Sequence, residues 1–534
     1  MTSVPKFSKD FLLISILTLI VSFCSIIYEL VYSQALTVLY GGTVARYSIT
    51  IGLYLISLGV GSFFTSAFKF KNTLVFFWWN ELLLSLIGPL GLVAIFLLGG
   101  AGLWAGLKSQ APVFFLSHLP ILAVGVLSGI EIPLLVGLLS AGEKDKFSKI
   151  LGLDYVGSFL GTVVYSLVLY PKLGLVATAL WVGFLNFLST VITVVWRMRE
   201  WALLKLASAL ILILYLACLF FADDFQSSLL GGYRETQIRS ELLSHDPDIL
   251  SVRVTEAFST PYQDVTLYET VSKNGSVDHC LNLDSHTQVC DSTYMIYHSG
   301  LVDVPMLFER GKDLKALVIG GGDWIAVDYL LKYPRVASIE LVDIDGQFME
   351  FMKKEPHFRA LHHDAYKSRR LHVTVDDGYS FMRFNRKRYD LILIDLPGIR
   401  HDKLAHLYSA EFYYFLRRAL TENGVAAGWM YGAMGPVRAH YKALMNTLRE
   451  AGFRTHILYD AYKLEADGPK PAQPFYLLSK NNALKARLSV QNSDYLNKTY
   501  PLYQDLSWMD IPYFPGVRPN TVMRPNYNIL VKDK

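Results

Sequence analysis

The chain is expected to fold as an N-terminal all-α, multi-pass transmembrane bundle of about seven helices, fused to an α/β domain that opens with a small antiparallel β-sheet. Three observations predict this. Of the 96 Asp, Glu, Lys and Arg residues only 18 fall between positions 11 and 222, which leaves 78 for the other 322 positions. The first half holds long apolar stretches near the roughly 20 residues that cross a bilayer as a helix. The second half holds short apolar runs that end at glycine or aspartate and give way to helical periodicity, the pattern of a parallel sheet. With 52% hydrophobic residues and a mean hydropathy of +0.30, a wholly soluble enzyme is excluded. A net charge of +4 without a clustered basic stripe excludes nucleic acid as a partner.

The apolar stretches run near 11–32, 46–68, 73–98, 112–139, 151–170, 175–196 and 201–221. The first is too long for a signal peptide and lacks a small-residue cleavage site, so it is expected to stay in the protein. Backbone amides in lipid must be satisfied within each segment, so these stretches are read as helices. The spacings Gly125/Gly129 and Gly157/Gly161 allow helix backbones to approach closely. Four acids fall inside the stretches: Glu29, Glu81, Glu131 and Asp154. Such groups either mark a polar site facing the bundle interior or are satisfied by neighbours such as Tyr28, Asn80, Tyr155 and Ser158.

Lys and Arg in short loops are retained in the cytoplasm. Lys6, Lys9, Lys69, Lys71, Lys144, Lys146, Lys149, Arg197 and Arg199 would share one face, against Arg46, Lys108 and Lys172 on the other. Seven spans then place the N-terminus in the cytoplasm and the second half outside, and an eighth span or a re-entrant segment at 112–139 reverses this. Cys280 and Cys290 flank a hairpin turning near Ser285 and would face each other, as a disulfide or as a reduced buried pair. No spacing supports a metal site.

After position 222 the expected units are a β-rich region at 223–310, a nucleoside-binding domain at 311–483 and a tail at 484–534, with the bundle occupying 1–222. Alternation over 251–283 predicts the small sheet, and a helix is expected at 294–308. Strands are expected at 315–320, 338–343, 371–375 and 390–395, with a helix at 324–333. This is a Rossmann-like, class I methyltransferase-like order, with its ligand at the carboxyl edge of the sheet. Gly320, Gly321 and Gly322 let a ligand approach the backbone, and Asp323 follows them. Asp343, 20 residues on, is placed to grip a ribose; Asp376 and Asp377 end the third strand and Asp395 the fourth. NAD is disfavoured, because Ile325 stands where G-x-G-x-x-G needs its last glycine. So many carboxylates would repel a pyrophosphate and attract a cationic nucleoside such as S-adenosylmethionine or its decarboxylated form. His362 and His363 read as solvated helix-end residues.

These residues resemble those of the spermidine synthases, or polyamine aminopropyltransferases, over about 260–480. Thr260-Pro-Tyr-Gln-Asp264, Leu283-Asp-Ser-His-Thr-Gln288, Tyr297-His298, Gly320-Gly-Gly-Asp323, Asp343-Ile-Asp345, Asp376-Asp-Gly378, Asp395 and Leu407-Tyr-Ser-Ala-Glu-Phe-Tyr413 carry the likeness. The first half is similar to the multi-pass region fused to some bacterial members, in Tyr28-Glu29, Gly129-Ile-Glu-Ile-Pro133 and Asp154-Tyr-Val-Gly157. The resemblance implies decarboxylated S-adenosylmethionine as co-substrate, with no metal, and an amine acceptor such as putrescine or another polyamine. It implies contacts to the nucleoside from Gln263, Gly320, Gly321, Gly322, Asp323, Asp343, Asp345, Asp376 and Asp377. Gln288, Tyr297 and His298 would face the substrate, and Asp395 would be catalytic. A bacterial inner membrane, contact with the lipid bilayer and a homodimer are implied likewise. The chain departs from the family at Ser299, where a glutamate is usual, at Trp324, where a glycine is usual, and at Asp395-Leu-Pro397, which lacks a second aspartate. Two other activities fit the altered acceptor side. One is an S-adenosylmethionine-dependent methyltransferase; the other is a non-catalytic polyamine sensor or transporter using the intramembrane acids.

Overall fold

The computed structural model describes residues 9–40, 44–68, 72–104, 111–138, 147–197, 202–284, 286–308, 311–398, 402–430, 438–465, 468–488 and 494–526. Most of the loop cations used above for orientation, and Ser285, lie outside the described residues. The chain forms two compact units, Met1–Val277 and Asp278–Lys534.

In the first unit, apolar composition dictates helix after helix: α1 (Lys9–Tyr40), α2 (Val44–Ala67), α3 (Thr73–Trp104), α4 (Ala111–Ser117), α5 (Leu119–Gly137), α6 (Phe147–Val164), α7 (Tyr170–Arg197), α8 (Ala202–Phe220) and α9 (Ala222–His245). Among the described residues five helical segments are long and apolar enough to cross a membrane, or six if α8 and α9, bent by 63° at their junction, make one span. This is roughly the count expected, and the difference lies in one place. The stretches expected at 151–170 and 175–196 are one helical run, Phe147–Trp196, joined through a π-turn at Tyr165–Leu169 and broken only at Gly174, whose φ of 73° leaves the helical region. Fifty residues at 1.5 Å each reach about 75 Å, more than twice a hydrocarbon core of about 30 Å. The small-residue spacings do what packing requires of them. A Cβ on Gly129 would lie 2.1 Å from the carbonyl oxygen of Leu58 on α2, and one on Gly161 2.7 Å from that of Phe23 on α1.

Two strands, β1 (Ile249–Ser259) and β2 (Asp264–Ser272), pair antiparallel in the same unit. Helix α9 holds them. Arg234 reaches Asp264 at 2.9 Å and donates to the carbonyl of Val265 at 3.0 Å, and its side chain is buried, so this ion pair is shielded from screening.

In the second unit β3 (Val277–Leu283) and β4 (His286–Cys290) form the expected hairpin, in which Cys280 faces Cys290 and the two are joined as a disulfide. The main sheet contains β5 (Leu314–Gly320), β6 (Val336–Asp343), β7 (Leu371–Val375), β8 (Tyr389–Asp395), β9 (Leu420–Trp429), β10 (Thr455–Glu465), β11 (Gly468–Ser479) and β12 (Met509–Asp510). Its order is β12-β10-β11-β9-β8-β5-β6-β7. Strands β5 to β9 are mutually parallel, and β10 to β12 extend the sheet antiparallel. Because the parallel strands are covered on both faces they are apolar throughout, as in Leu391, Ile392, Leu393 and Ile394, each nearly inaccessible. The described residues after 484 pack onto this sheet. β12 joins the sheet, Ile511 is fully buried, and the Asn520 amide donates to the carbonyls of Ala405 at 2.7 Å and Tyr408 at 3.0 Å.

Candidate active site

Chain order leaves β5 toward β6 and β7 on one side, then returns to β8 and β9 on the other. The switch lies between β5 and β8, where open α/β sheets bind their ligands. Gly320 and Asp395 are register partners at the carboxyl ends of these two strands, and the Gly321 amide donates to the Asp395 carbonyl at 3.1 Å. The approach is tight: a Cβ on Gly320, whose φ is 83°, would lie 2.0 Å from the Asp395 carbonyl oxygen. No side chain fits there, which explains the glycine.

Next along the turn, Trp324 adopts φ 70° and ψ −2°, the left-handed region that a bulky residue enters only at a cost. The position wants glycine, yet the indole is fully buried and its Nε1–H donates to the Met349 carbonyl at 3.2 Å. Asp323, also buried, accepts the amide of Ile325 at 2.9 Å and so opens the following helix, Ile325–Leu331.

The nucleoside side gathers on β6 and β7. Asp343 accepts the amides of Gly322 at 3.0 Å and Asp345 at 2.8 Å, which fixes its carboxylate beside the glycine turn. Burial outweighs these bonds and pushes its pKa up to about 6. Asp345 is buried and turned differently: its carboxylate caps the helix Gly346–Lys354 through the Phe348 amide at 3.0 Å. Asp377 likewise caps Gly378–Phe384 through the Ser380 amide at 2.8 Å, and a hydrogen bond from His406, 3.4 Å away, holds its pKa down to about 2. Asp376 is exposed and accepts the amide of Asp377 at 2.8 Å. Among these acids Asp343 presents its carboxylate beside the glycine turn, while Asp345 and Asp377 cap helices.

The reacting edge is built by Asp395 and the segment after the hairpin. The expected helix at 294–308 forms as Tyr294–His298, a π-turn at Ser299–Asp303 and a last turn at Val304–Met306. It delivers Tyr297, whose Oη donates to Asp395 Oδ1 at 2.9 Å, and His298, whose Nδ1 bonds the Tyr294 carbonyl at 2.8 Å. That bond sets Nδ1 as the protonated nitrogen and leaves Nε2 as a buried lone pair without a partner; Asp395 Oδ2 is also buried and without a partner. A ring nitrogen of His298 and carboxylate oxygens of Asp323 and Asp395 all lie within 4.8 Å of one another. Burial, and then the charge of Asp323, push the Asp395 pKa well above the usual carboxylate range, while burial lowers that of His298. The result is a dry cluster of acceptors with unused lone pairs, suited to a group that brings both positive charge and N–H donors.

Aromatic walls complete it. Tyr297 packs edge-on against Trp429 at 5.9 Å and against Phe475 at 5.5 Å between ring centroids, and Tyr408, buried, bonds the Pro397 carbonyl at 3.2 Å. Sequence reasoning passed over Trp429, Phe475 and His406, because none stands in a glycine or acid motif, and it read Tyr408 within the run Leu407 to Tyr413 without giving it a role. The position of His406 in the run that leads into Leu407-Tyr408 is the one signal that points to any of them. Of the remaining expected residues, Gln288 donates to the His286 carbonyl within its own hairpin at 3.1 Å. Gln263 belongs to the first unit, where its amide and carbonyl close the β1–β2 turn on Thr260. His362 is not solvated but fully buried, bonded to the Met352 carbonyl at 3.2 Å.

Comparison of the sequence with known proteins gives one family. The model of the spermine/spermidine synthase domain matches residues 294–428. A polyamine aminopropyltransferase of Leptospira interrogans is 31% identical over 442 residues, 82% of this chain and 82% of that protein. Polyamine aminopropyltransferase 2 of Aquifex aeolicus is 28% identical over 511 residues, 94% of this chain and 95% of that protein. A crystal structure of spermidine synthase in complex with the transition state analogue AdoDATO aligns at 20% identity with a TM-score of 0.37, covering 49% of this chain and 82% of that one.

Proposed function

Since the chain belongs to the polyamine aminopropyltransferase family, we propose that it transfers the aminopropyl group of decarboxylated S-adenosylmethionine to an aliphatic amine such as putrescine and releases methylthioadenosine. The observation that carries this reading is the Asp395 carboxylate, oriented by Tyr297 on one oxygen and unoccupied on the other, at the sheet's switch point. A neutral amine nitrogen attacks the propyl carbon bonded to sulfur. The N–C bond forms, the C–S bond breaks, and the sulfonium becomes a neutral thioether. The proton leaving the nitrogen goes to Asp395 Oδ2, and the raised pKa of that group makes it a fitting general base.

Asp343 would hold the ribose, and the glycine turn 320–322 would admit the nucleoside's approach. Asp323 and Asp395 favour the sulfonium by Coulomb attraction in a site where little water screens it. Two anions that the family resemblance leads one to expect on the acceptor side are missing, at Ser299 and after Asp395. Trp429, Phe475 and the lone pair of His298 are the groups left to recognise the amine, through ring faces and one N–H acceptor. We carry the bacterial inner membrane, the bilayer as solvent for the apolar helices, and a homodimer into this proposal.

The test is incubation of the full-length protein with decarboxylated S-adenosylmethionine and a panel of diamines and polyamines, with S-adenosylmethionine in parallel, followed by mass spectrometry. Methylthioadenosine together with an aminopropylated amine, both lost in Asp395→Asn, is the expected result. Methyl transfer, or nucleoside binding without turnover on any amine, would overturn it.

A further inference from the structure

We propose that the membrane unit carries an amine site of its own: a cavity between α1, α2, α5 and α6 that binds a linear, multiply protonated aliphatic amine. The cavity encloses about 790 Å³, within the range of small-molecule sites, and three carboxylates line it: Glu29, Glu131 and Asp154. None of its described lining residues is Lys, Arg or His. Carboxylates placed among apolar helices without a counter-cation are costly as lone charges, so the arrangement calls for a positive occupant.

One unsatisfied atom points the same way. Glu131 is almost wholly buried and lines the cavity, and its Oε1 has no hydrogen-bond partner. Asp154 is held by the Ser22 hydroxyl, Glu81 by Ser189 Oγ at 3.0 Å, and Glu81 and Glu131 share a hydrogen bond, so Glu131 Oε1 is the oxygen left for an occupant. A single metal ion does not fit. Among the described residues the three lining carboxylates are not gathered within the 4.8 Å that one ion would require. Charges separated along a chain do fit, and apolar walls such as Leu55, Leu58 and Ile132 suit the methylenes between them. The choice of an aliphatic amine over other organic cations rests on the acceptor chemistry proposed above; the site itself uses none of the transfer residues.

Dicyclohexylcarbodiimide modifies carboxyl groups in apolar surroundings, and the first experiment uses the wild-type full-length protein in detergent. Modification of Glu29 and Glu131, read by peptide mass spectrometry, is expected to slow at least about fivefold with spermidine and to be unaffected by Mg²⁺ or K⁺ at matched ionic strength. Equal protection by inorganic cations, by micelles containing phosphatidylethanolamine without added polyamine, or by nothing would each overturn the proposal. The second experiment is equilibrium dialysis of radiolabelled spermidine with Asp395→Asn. One saturable site is expected to remain and to weaken about tenfold or more on adding Glu131→Gln, the loss of one ion-pair partner. Glu131→Gln alone keeps methylthioadenosine release. Protection of the carboxyls in a protein that makes no methylthioadenosine would sink the transferase reading and leave the binding site standing.

Discussion

Tyr297 Oη donates a hydrogen bond of 2.9 Å to Asp395 Oδ1, joining a helix that follows the disulfide hairpin to the end of the sheet's central switch. The bond favours the charged carboxylate, whereas burial and the neighbouring Asp323 disfavour it. Removing the phenol in Tyr297→Phe therefore raises the Asp395 pKa further, and the acid limb of the pH–rate profile moves to higher pH. Turnover at neutral pH is expected to fall about tenfold, the scale of a hydrogen bond to a charged group. Asp395→Asn is expected to lose about 10²-fold or more in turnover while keeping its affinity for methylthioadenosine, which carries no sulfonium. An unshifted acid limb in Tyr297→Phe would show that Asp395 does not titrate in the rate-limiting step.

Asp343 gives a stability signature. Its folded-state pKa, near 6, lies above the ordinary carboxylate value, so folding favours the protonated form. Its contribution is therefore fully present below about pH 4 and is lost as pH rises through about 6. Thermal melts of the ligand-free protein should show this decline, and Asp343→Asn should flatten it. A cationic nucleoside needs the deprotonated acid, so its affinity, measured by calorimetry, should increase between about pH 5 and 7 in the wild type and show no such increase in the variant.

Trp324 offers a reversal of the usual order. Alanine normally stabilises a chain relative to glycine, but at φ 70° alanine keeps the steric conflict and glycine does not. Both variants lose the buried indole, at about 3–5 kcal/mol. Trp324→Gly should nevertheless unfold about 1 kcal/mol later in urea than Trp324→Ala. The opposite ranking would mean that the left-handed turn rearranges once the indole is gone.

The thiols can be counted. With Cys280 and Cys290 joined, the denatured, unreduced protein should take up two alkyl groups, at Cys24 and Cys218, and four after reduction. Four without reductant would place the hairpin in a reducing compartment, the one in which adenosyl substrates are made.

Four of the five parallel strands were legible because their physics is local, and β9 went unread. Apolar runs ending in acids predict strands at 371–375 and 390–395, and they form at Leu371–Val375 and Tyr389–Asp395. Strands β10 and β11 escaped notice, since Pro469, Pro471 and Pro474 interrupt the expected alternation; the partnership is antiparallel and set by tertiary pairing. The last sheet strand is two residues long and has no periodicity to read. In the bundle, composition located the helices, and the break it placed between 170 and 175 is the kink at Gly174; the π-turn at Tyr165–Leu169 has no sequence signal of its own. Within the site, the glycines and acids were visible as motifs, while the aromatic wall was not, because Trp429 and Phe475 reach Tyr297 from β9 and β11.

The π-turn at Ser299–Asp303 makes the site sensitive to counting. It inserts one residue into a helix, with the Val304 amide bonding back to Ser299, and Tyr459 Oη donates to the carbonyl of Gly300 at 2.9 Å. Deleting Gly300 alone would restore ordinary winding, since Ser299 and Val304 already bond as residues one turn apart, and would take away the carbonyl that Tyr459 holds. A one-residue deletion that removes no side chain would thus loosen the segment carrying Tyr297 and His298 from β10, and a compensating insertion before Val304 should restore it.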